Sequence, residues 1–203
     1  MDHGLQQMSD SGLNIYGASA ISRLPNDLRA FFPAEYHDWH FGLFGHGGRR
    51  MWDVLPVTDS GHPIDDHARL RVDWFAREVI GDKDYVLAFP NPKLVLPLQR
   101  LGRYLNISRP SVLGIDIHPK FGLWFAYRAV FLTKVRIPEV RELDFQPACE
   151  SCVERPCQGE KNSHFHLARL ACPIASEHKY SMAQIEYHMG SRDHRRKLLN
   201  SKH

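Results

Sequence analysis

All four cysteines of this 203-residue chain lie between positions 149 and 172. Cys149, Cys152, Cys157 and Cys172 read as C-x2-C-x4-C-x14-C, and Pro173 follows the last of them. A chain that confines its thiols in this way is using them together. The i, i+3 pair Cys149 and Cys152 lets two thiolates of one tight turn face a common metal, and the other two can complete a tetrahedral set. Cys before Pro is also the ending of the bacterial run C-x2-C-x2-C-x3-C-P. The expectation is a [4Fe–4S] cluster held by these four residues. Compared with that run, the last gap is longer by about 11 residues, so Gln158 to Ala171 are expected to loop out without moving the ligands. Zinc is the rival, although structural zinc sites usually take two C-x2-C knuckles and this chain has one. Disulfides and unligated or redox thiols are the remaining readings. Met1 to Ser11 is polar with no apolar core, so no secretory signal is expected.

With 43% hydrophobic and 24% charged residues, the composition is that of a soluble globular protein. The length suits one domain with an appendage: a core over residues 1–140, then a cysteine segment and C-terminal helix over 141–203. No apolar run approaches the roughly 18 residues that span a bilayer, so no membrane segment is expected and the location is read as cytoplasmic. A net charge of +3 of mixed sign is not a nucleic-acid footprint. The basic run Arg192 to Lys197 reads as a solvated tail. Thirteen histidines are scattered without a zinc-type pair, and His164 and His166 read as an exposed polar pair.

Strands are expected at Leu13 to Tyr16 and at Phe41 to Phe44, the second ended by Gly45 to Gly48. A short helix through Met51, Trp52 and Leu55 follows. The clearest helix runs from about Asp65 to Ile80, where Ala68, Val72, Phe75, Ala76 and Val79 recur at three- and four-residue steps and Gly81 supplies the stop. Tyr85 to Phe89 reads as a strand and Pro97 to Leu105 as a helix. Leu113 to Ile117 and Leu123 to Leu132 then flank the turn His118 to Gly122. The last strand carries aromatics on both faces and is expected to be buried on both. Pro138 and Pro147 mark a linker, and Ser181 with Gln184 forms a capping-box pair before a helix ending at Gly190. Alternating strands and helices make the class α/β or α+β on one sheet.

Residues 114–128 form the second informative stretch. His118 can stand at a sheet end with one nitrogen exposed, Gly122 permits the close approach of a flat ligand, and Trp124 and Phe125 offer broad apolar walls. A hydrophobic hairpin with a capping histidine is the plainer alternative. For Arg128, an ion pair at the strand end is one reading. For Gly45 to Gly48 with Arg49 and Arg50, a tight turn is preferred over phosphate binding.

The stretch Ile117-His118-Pro119-Lys120-Phe121-Gly122-Leu123-Trp124-Phe125-Ala126-Tyr127-Arg128 resembles the I-H-P-x-[FY]-G-x-W-F segment of a cobalamin-handling group. That group includes the animal cobalamin-trafficking protein (a cyanocobalamin reductase and alkylcobalamin dealkylase) and epoxyqueuosine reductase, in which cysteines ending in Cys-Pro follow the segment as they do here. The resemblance covers roughly residues 85–175. It implies an α+β fold of flavin-reductase (nitroreductase) type, with an antiparallel or mixed sheet, flanking helices and a C-terminal ferredoxin-like iron–sulfur appendage. It also implies a corrinoid bound by His118, Lys120, Phe121, Gly122, Trp124, Phe125 and Arg128, while no residue is assigned a catalytic role. Epoxyqueuosine reductase carries two clusters and an acidic proton donor. This chain has cysteines for one cluster and no Asp or Glu in the matching stretch, Pro90 to Leu101. The implied function is an iron–sulfur redox protein that binds or reductively processes cobalamin, with a redox partner protein and a homodimeric assembly. The alternative is a ferredoxin-like electron carrier or a zinc-stabilised non-enzymatic module on the same fold; a flavin-dependent reductase is a weaker third reading.

Overall fold

A computed structural model describes residues 1–58, 60–141, 148–159 and 165–200. Helix α1 (Asp2–Asp10) leads into strand β1 (Ile15–Ala20), and a short helix α2 (Asn26–Arg29) precedes β2 (His40–Gly47). Helices α3 (Arg50–Val54) and α4 (Pro63–Trp74) come next, and α4 runs on through π-helical turns over Phe75–Ile80. Then follow β3 (Val86–Phe89), α5 (Leu98–Tyr104), β4 (Arg109–Pro110), β5 (Asp116–Ile117) and β6 (Phe125–Thr133). The cysteine segment leads to α6 (Phe165–Ala171), α7 (Met182–Met189) and α8 (Arg192–Asn200).

The main sheet has the order β1-β2-β6-β3 with every pairing antiparallel, and β4 and β5 form a two-stranded ribbon beside it. Alternation along the strands sends side chains to two cores. Ala18, Phe44, Ala129 and Phe131 meet α1, α3 and α4 through Met8, Trp52, Val72 and Phe75. Ile15, Phe41, Leu43, Val130 and Leu132 meet α2 and α5 through Leu28 and Leu101 on the other face. The architecture is therefore α+β, with helices covering both faces of an antiparallel sheet.

The long helix begins at Pro63, two residues before its expected start, because proline is favoured in the first helical turn. It stops at Gly81, whose φ of 79° is the left-handed conformation glycine adopts cheaply. Other expectations need correction. Strand β2 does not end at Gly45 but continues to Gly47, with a bulge between Phe44 and Gly45. Aromatic rings lie on its bare backbone: Phe131 covers Gly42 and Phe121 covers Gly47. Strand β1 is displaced toward Ala20, and β5 shrinks to two residues because the chain turns before it. Strand β6 starts at Phe125 rather than Leu123. Its first four residues are only half-buried, while Ala129 to Thr133 are buried. The polar N-terminus forms α1, held by Met8 and Leu5 against the core. Residues 165–171 of the expected loop are helical, and Pro147 and His164 lie outside the described residues. The basic run is not a free tail, since α8 carries Leu199 into the core beside Tyr187 of α7.

Candidate functional site

The turn between β5 and β6 is closed by its own backbone. His118 and Gly122 exchange N–H···O bonds of 2.9 Å in both directions. The amides of Lys120 and Phe121 donate to His118 Nδ1 at 3.0 and 3.3 Å, so the ring proton sits on Nε2. Burial, then the charges of Lys120 and His178, push the His118 pKa down to about 4. Its ring rests against Phe121 and Phe125, and the ammonium of Lys120 stands over the Phe121 ring. His118, Lys120 and Phe121 line an open cleft of about 530 Å³ with Ser9 and Asn14. Gly122, at φ 58°, faces chain: a Cβ there would lie 2.5 Å from the carbonyl of Ile174, just beyond Cys172 and Pro173.

Trp124 turns away from this cleft. It is buried, and it walls a cavity of about 340 Å³ with Arg169 of α6, Tyr180, and Ile185, His188 and Met189 of α7. The guanidinium of Arg169 lies over the rings of Trp124 and Tyr180, at 4.4 and 4.7 Å from their centroids. It is fixed there by bonds of 3.0 and 2.6 Å to the Leu123 carbonyl. Arg169 also lines a second cavity of about 330 Å³ with Phe125, Tyr127 and Asp116. His166, read as part of an exposed pair, is half-buried and lines the first cavity.

Behind the first cavity stands a polar chain. Arg128 donates from Nε to His46 Nδ1 at 2.9 Å, and His46 Nε2 meets the Tyr180 hydroxyl at 2.9 Å. His46 is fully buried, and burial followed by the nearby Arg128 charge holds its pKa well below the ordinary range. Burial and the charges of Arg128, Arg169 and Arg195 lower His188 to about 3. Asp65 approaches Arg128 at 3.8 Å. Two buried atoms on the cavity wall have no hydrogen-bond partner, Trp124 Nε1 and His188 Nε2. A buried donor without a partner costs about 1–3 kcal/mol, and Trp124 Nε1, which can only donate, is one such atom here.

The seven residues singled out in residues 114–128 thus divide. His118, Lys120 and Phe121 face the open cleft, Trp124 faces the closed cavity, and Phe125 touches both His118 and the second cavity. Gly122 abuts Ile174, and Arg128 acts from behind Tyr180. His46, Arg169, Tyr180 and His188 were missed. Tyr180 directly precedes the capping residue Ser181, and Arg169 sits in a stretch read as a loop, so neither stood out by pattern. Arg49 and Arg50, considered for phosphate, instead donate to the carbonyls of Lys179 and Asp10.

The cysteines are all unbonded. Cys172 packs with Ile117 and Leu123, and Cys149 lies against this cluster. Burial raises the thiol pKa of Cys157 and Cys172, and the neighbouring thiols add to it: Cys149 and Cys152 for Cys157, and all three others for Cys172. The four thiols are thus near enough to influence one another, and Cys172 and Cys149 pack with Ile117 and Leu123, which flank the His118 turn. Among the described residues, no three or more His, Cys, Asp or Glu side chains are gathered as a metal-holding group.

No protein-family model matches the chain, and no curated protein does. Among solved structures, it is similar to a crystal structure of a C. elegans B12-trafficking protein CblC, a human MMACHC homologue. The two are 15% identical, with a TM-score of 0.61 over 99% of this chain and 96% of that one. At that identity the likeness is one of fold, and the α+β architecture described above is that of CblC along nearly its whole length.

Proposed function

We propose that this protein binds a corrinoid and processes it reductively, with Cys149, Cys152, Cys157 and Cys172 holding a [4Fe–4S] cluster. The observation that carries the corrinoid reading is the coincidence of two facts. The chain shares the fold of a B12-trafficking protein end to end, and its Trp124 and Arg169 wall a cavity in which Trp124 Nε1 is a buried donor without a partner. A corrin ring is apolar in its plane and fringed with amides. The apolar rim of Leu170, Ile185 and Met189 and the polar groups of Tyr180 and Arg169 suit one edge of such a molecule, since a cavity of about 340 Å³ takes a part of it and not the whole. Trp124 gives an apolar wall to the first cavity and Phe125 to the second, and His118 is held neutral at the turn.

The cysteine reading rests on the shared neighbourhood of the thiols. Zinc needs its ligand sulfurs about 3.8 Å apart, from Zn–S bonds of about 2.3 Å. Among the described residues no such group is gathered, so the preference for iron over zinc rests on the spacing of the four cysteines and the Cys172-Pro173 ending. When bound, such a cluster supplies low-potential electrons to the corrinoid metal. The 118–123 turn, packed on Cys172 through Ile117 and Leu123, joins the two sites. A redox partner protein, a nitroreductase-type origin of the fold and a homodimer belong to the same proposal, as does a reducing compartment such as the cytoplasm, which suits four free thiols. Among the described residues, no helix is long and apolar enough to cross a membrane.

The test is anaerobic purification followed by metal analysis and titration with cyanocobalamin. The expected results are about four iron atoms per chain and a shifted visible spectrum of the bound corrinoid. An unchanged cobalamin spectrum at excess protein sinks the corrinoid reading. Zinc in place of iron sinks the cluster while leaving the corrinoid reading standing.

A further inference from the structure

The polar chain behind the cavity has a fixed direction. Arginine only donates, so His46 Nδ1 must accept from Arg128 Nε. His46 is neutral because it is buried beside that positive charge, and its single ring proton is therefore on Nε2. Nε2 then donates to the Tyr180 oxygen at 2.9 Å. The hydroxyl of Tyr180 is an acceptor inside the protein, from His46 and from the Arg169 guanidinium, which only donates, and no hydrogen bond from its own proton is formed among the described residues. Tyr180 is only 4% exposed, and its ring is held by stacking on His46 and by edge contact with Trp124. Trp124, 1% exposed, walls the same cavity, and its Nε1 is a buried donor without a hydrogen-bond partner. Neither Arg128 nor His46 lines that cavity.

We infer that Tyr180 is a dedicated hydrogen-bond donor to whatever fills this cavity, aimed together with Trp124 Nε1 at oxygen acceptors of the ligand. Arg128 and His46 are positioning residues that act through Tyr180: they occupy its lone pair and so turn its proton outward. A ligand presenting a carbonyl or carboxylate oxygen is accepted, whereas one presenting an N–H or O–H to these groups meets only donors. The inference rests on the cavity being a ligand site, as proposed above, and not on the ligand being a corrinoid.

Acetamide and acetate, which carry the two kinds of oxygen, are titrated into 15N-labelled protein alongside cyanocobalamin. The reporter is the indole N–H resonance of Trp124, assigned by its loss in Trp124→Phe. At least one of the two small molecules is expected to shift that resonance, acetamide marking an amide carbonyl site and acetate an oxyanion site. Tyr180→Phe keeps the ring packing and is expected to weaken the interaction about tenfold, the effect of one lost hydrogen bond of about 1.4 kcal/mol. His46→Gln retains an acceptor for Arg128 and a donor for Tyr180, and is expected to bind within about threefold of the parent, whereas His46→Leu follows Tyr180→Phe. Imidazole 15N shifts should place the His46 proton on Nε2. The assignment falls if that proton is on Nδ1, if neither acetamide nor acetate moves the Trp124 resonance, or if Tyr180→Phe binds as the parent does. Failure of cyanocobalamin alone removes the corrinoid and leaves the donor assignment intact.

Discussion

Gly122 meets two constraints at once: a φ of 58°, and the Ile174 carbonyl within 2.5 Å of where a Cβ would stand. Either alone disfavours a side chain, since left-handed backbone costs a non-glycine residue about 1 kcal/mol or more. The clash with backbone adds to that, because Ile174 cannot rotate away as a side chain tip could. Gly122→Ala should therefore lower stability by about 2–4 kcal/mol, read as a lower urea midpoint, and an unchanged midpoint would show the turn and the Cys-Pro segment to be loosely joined. The glycine was legible in the sequence as a place of close approach. What approaches it was not, because Ile174 lies far along the chain and no local pattern relates the two. The same holds for Tyr180, an ordinary aromatic in sequence that acquires a direction only through His46 and Arg128.

Helix α7 shows how an element's local chemistry supports the site. Ser181 caps it, accepting a hydrogen bond from the Gln184 amide at 3.2 Å, which is half of the expected capping box; the Gln184 side-chain oxygen makes no return bond. Its two ends do different work: the cap fixes the start beside Tyr180, and the last turn carries His188 and Met189 to the cavity wall. Ser181→Ala should cost about 1 kcal/mol, lowering Tm by about 2–4 °C for a chain of this size, with ligand affinity falling as the last turn loosens. Ser181→Thr should keep both. Equal Tm values for the Ala and Thr variants would deny the cap its role. Helix α8 was misread because its polar residues outnumber its apolar ones. Leu199 reaches the core with Leu198 packed beside it, and two adjacent leucines leave no periodic trace.

At the scale of the whole molecule, burial lowers the pKa of five described histidines: His118 to about 4, His188 to about 3, His46 well below its ordinary value, and His40 and His67 below theirs. Above about pH 6.5 they are neutral in both folded and unfolded chains and cost nothing. As pH falls below 6.5 the unfolded chain binds protons that the folded one refuses, so stability drops. Each histidine contributes a slope of about 1.4 kcal/mol per pH unit until its folded pKa is reached. Tm should be flat from pH 8 to 7 and fall steeply between about pH 6.5 and 4. His118→Gln, which retains an acceptor at the turn, should flatten part of that fall; equal slopes in variant and parent would show that His118 titrates normally. The sequence by itself determined the long helix and its glycine stop, the approximate strands, the closed His118 turn and the grouping of the cysteines, because each follows from contacts or periodicities within a few residues. Only the tertiary structure decided that Trp124 and Phe125 serve different cavities and that the 118–123 turn rests on Cys172. It alone brought His46, Arg128 and Tyr180 into one directed chain, since those arrangements depend on strand order and helix docking between residues up to 134 positions apart.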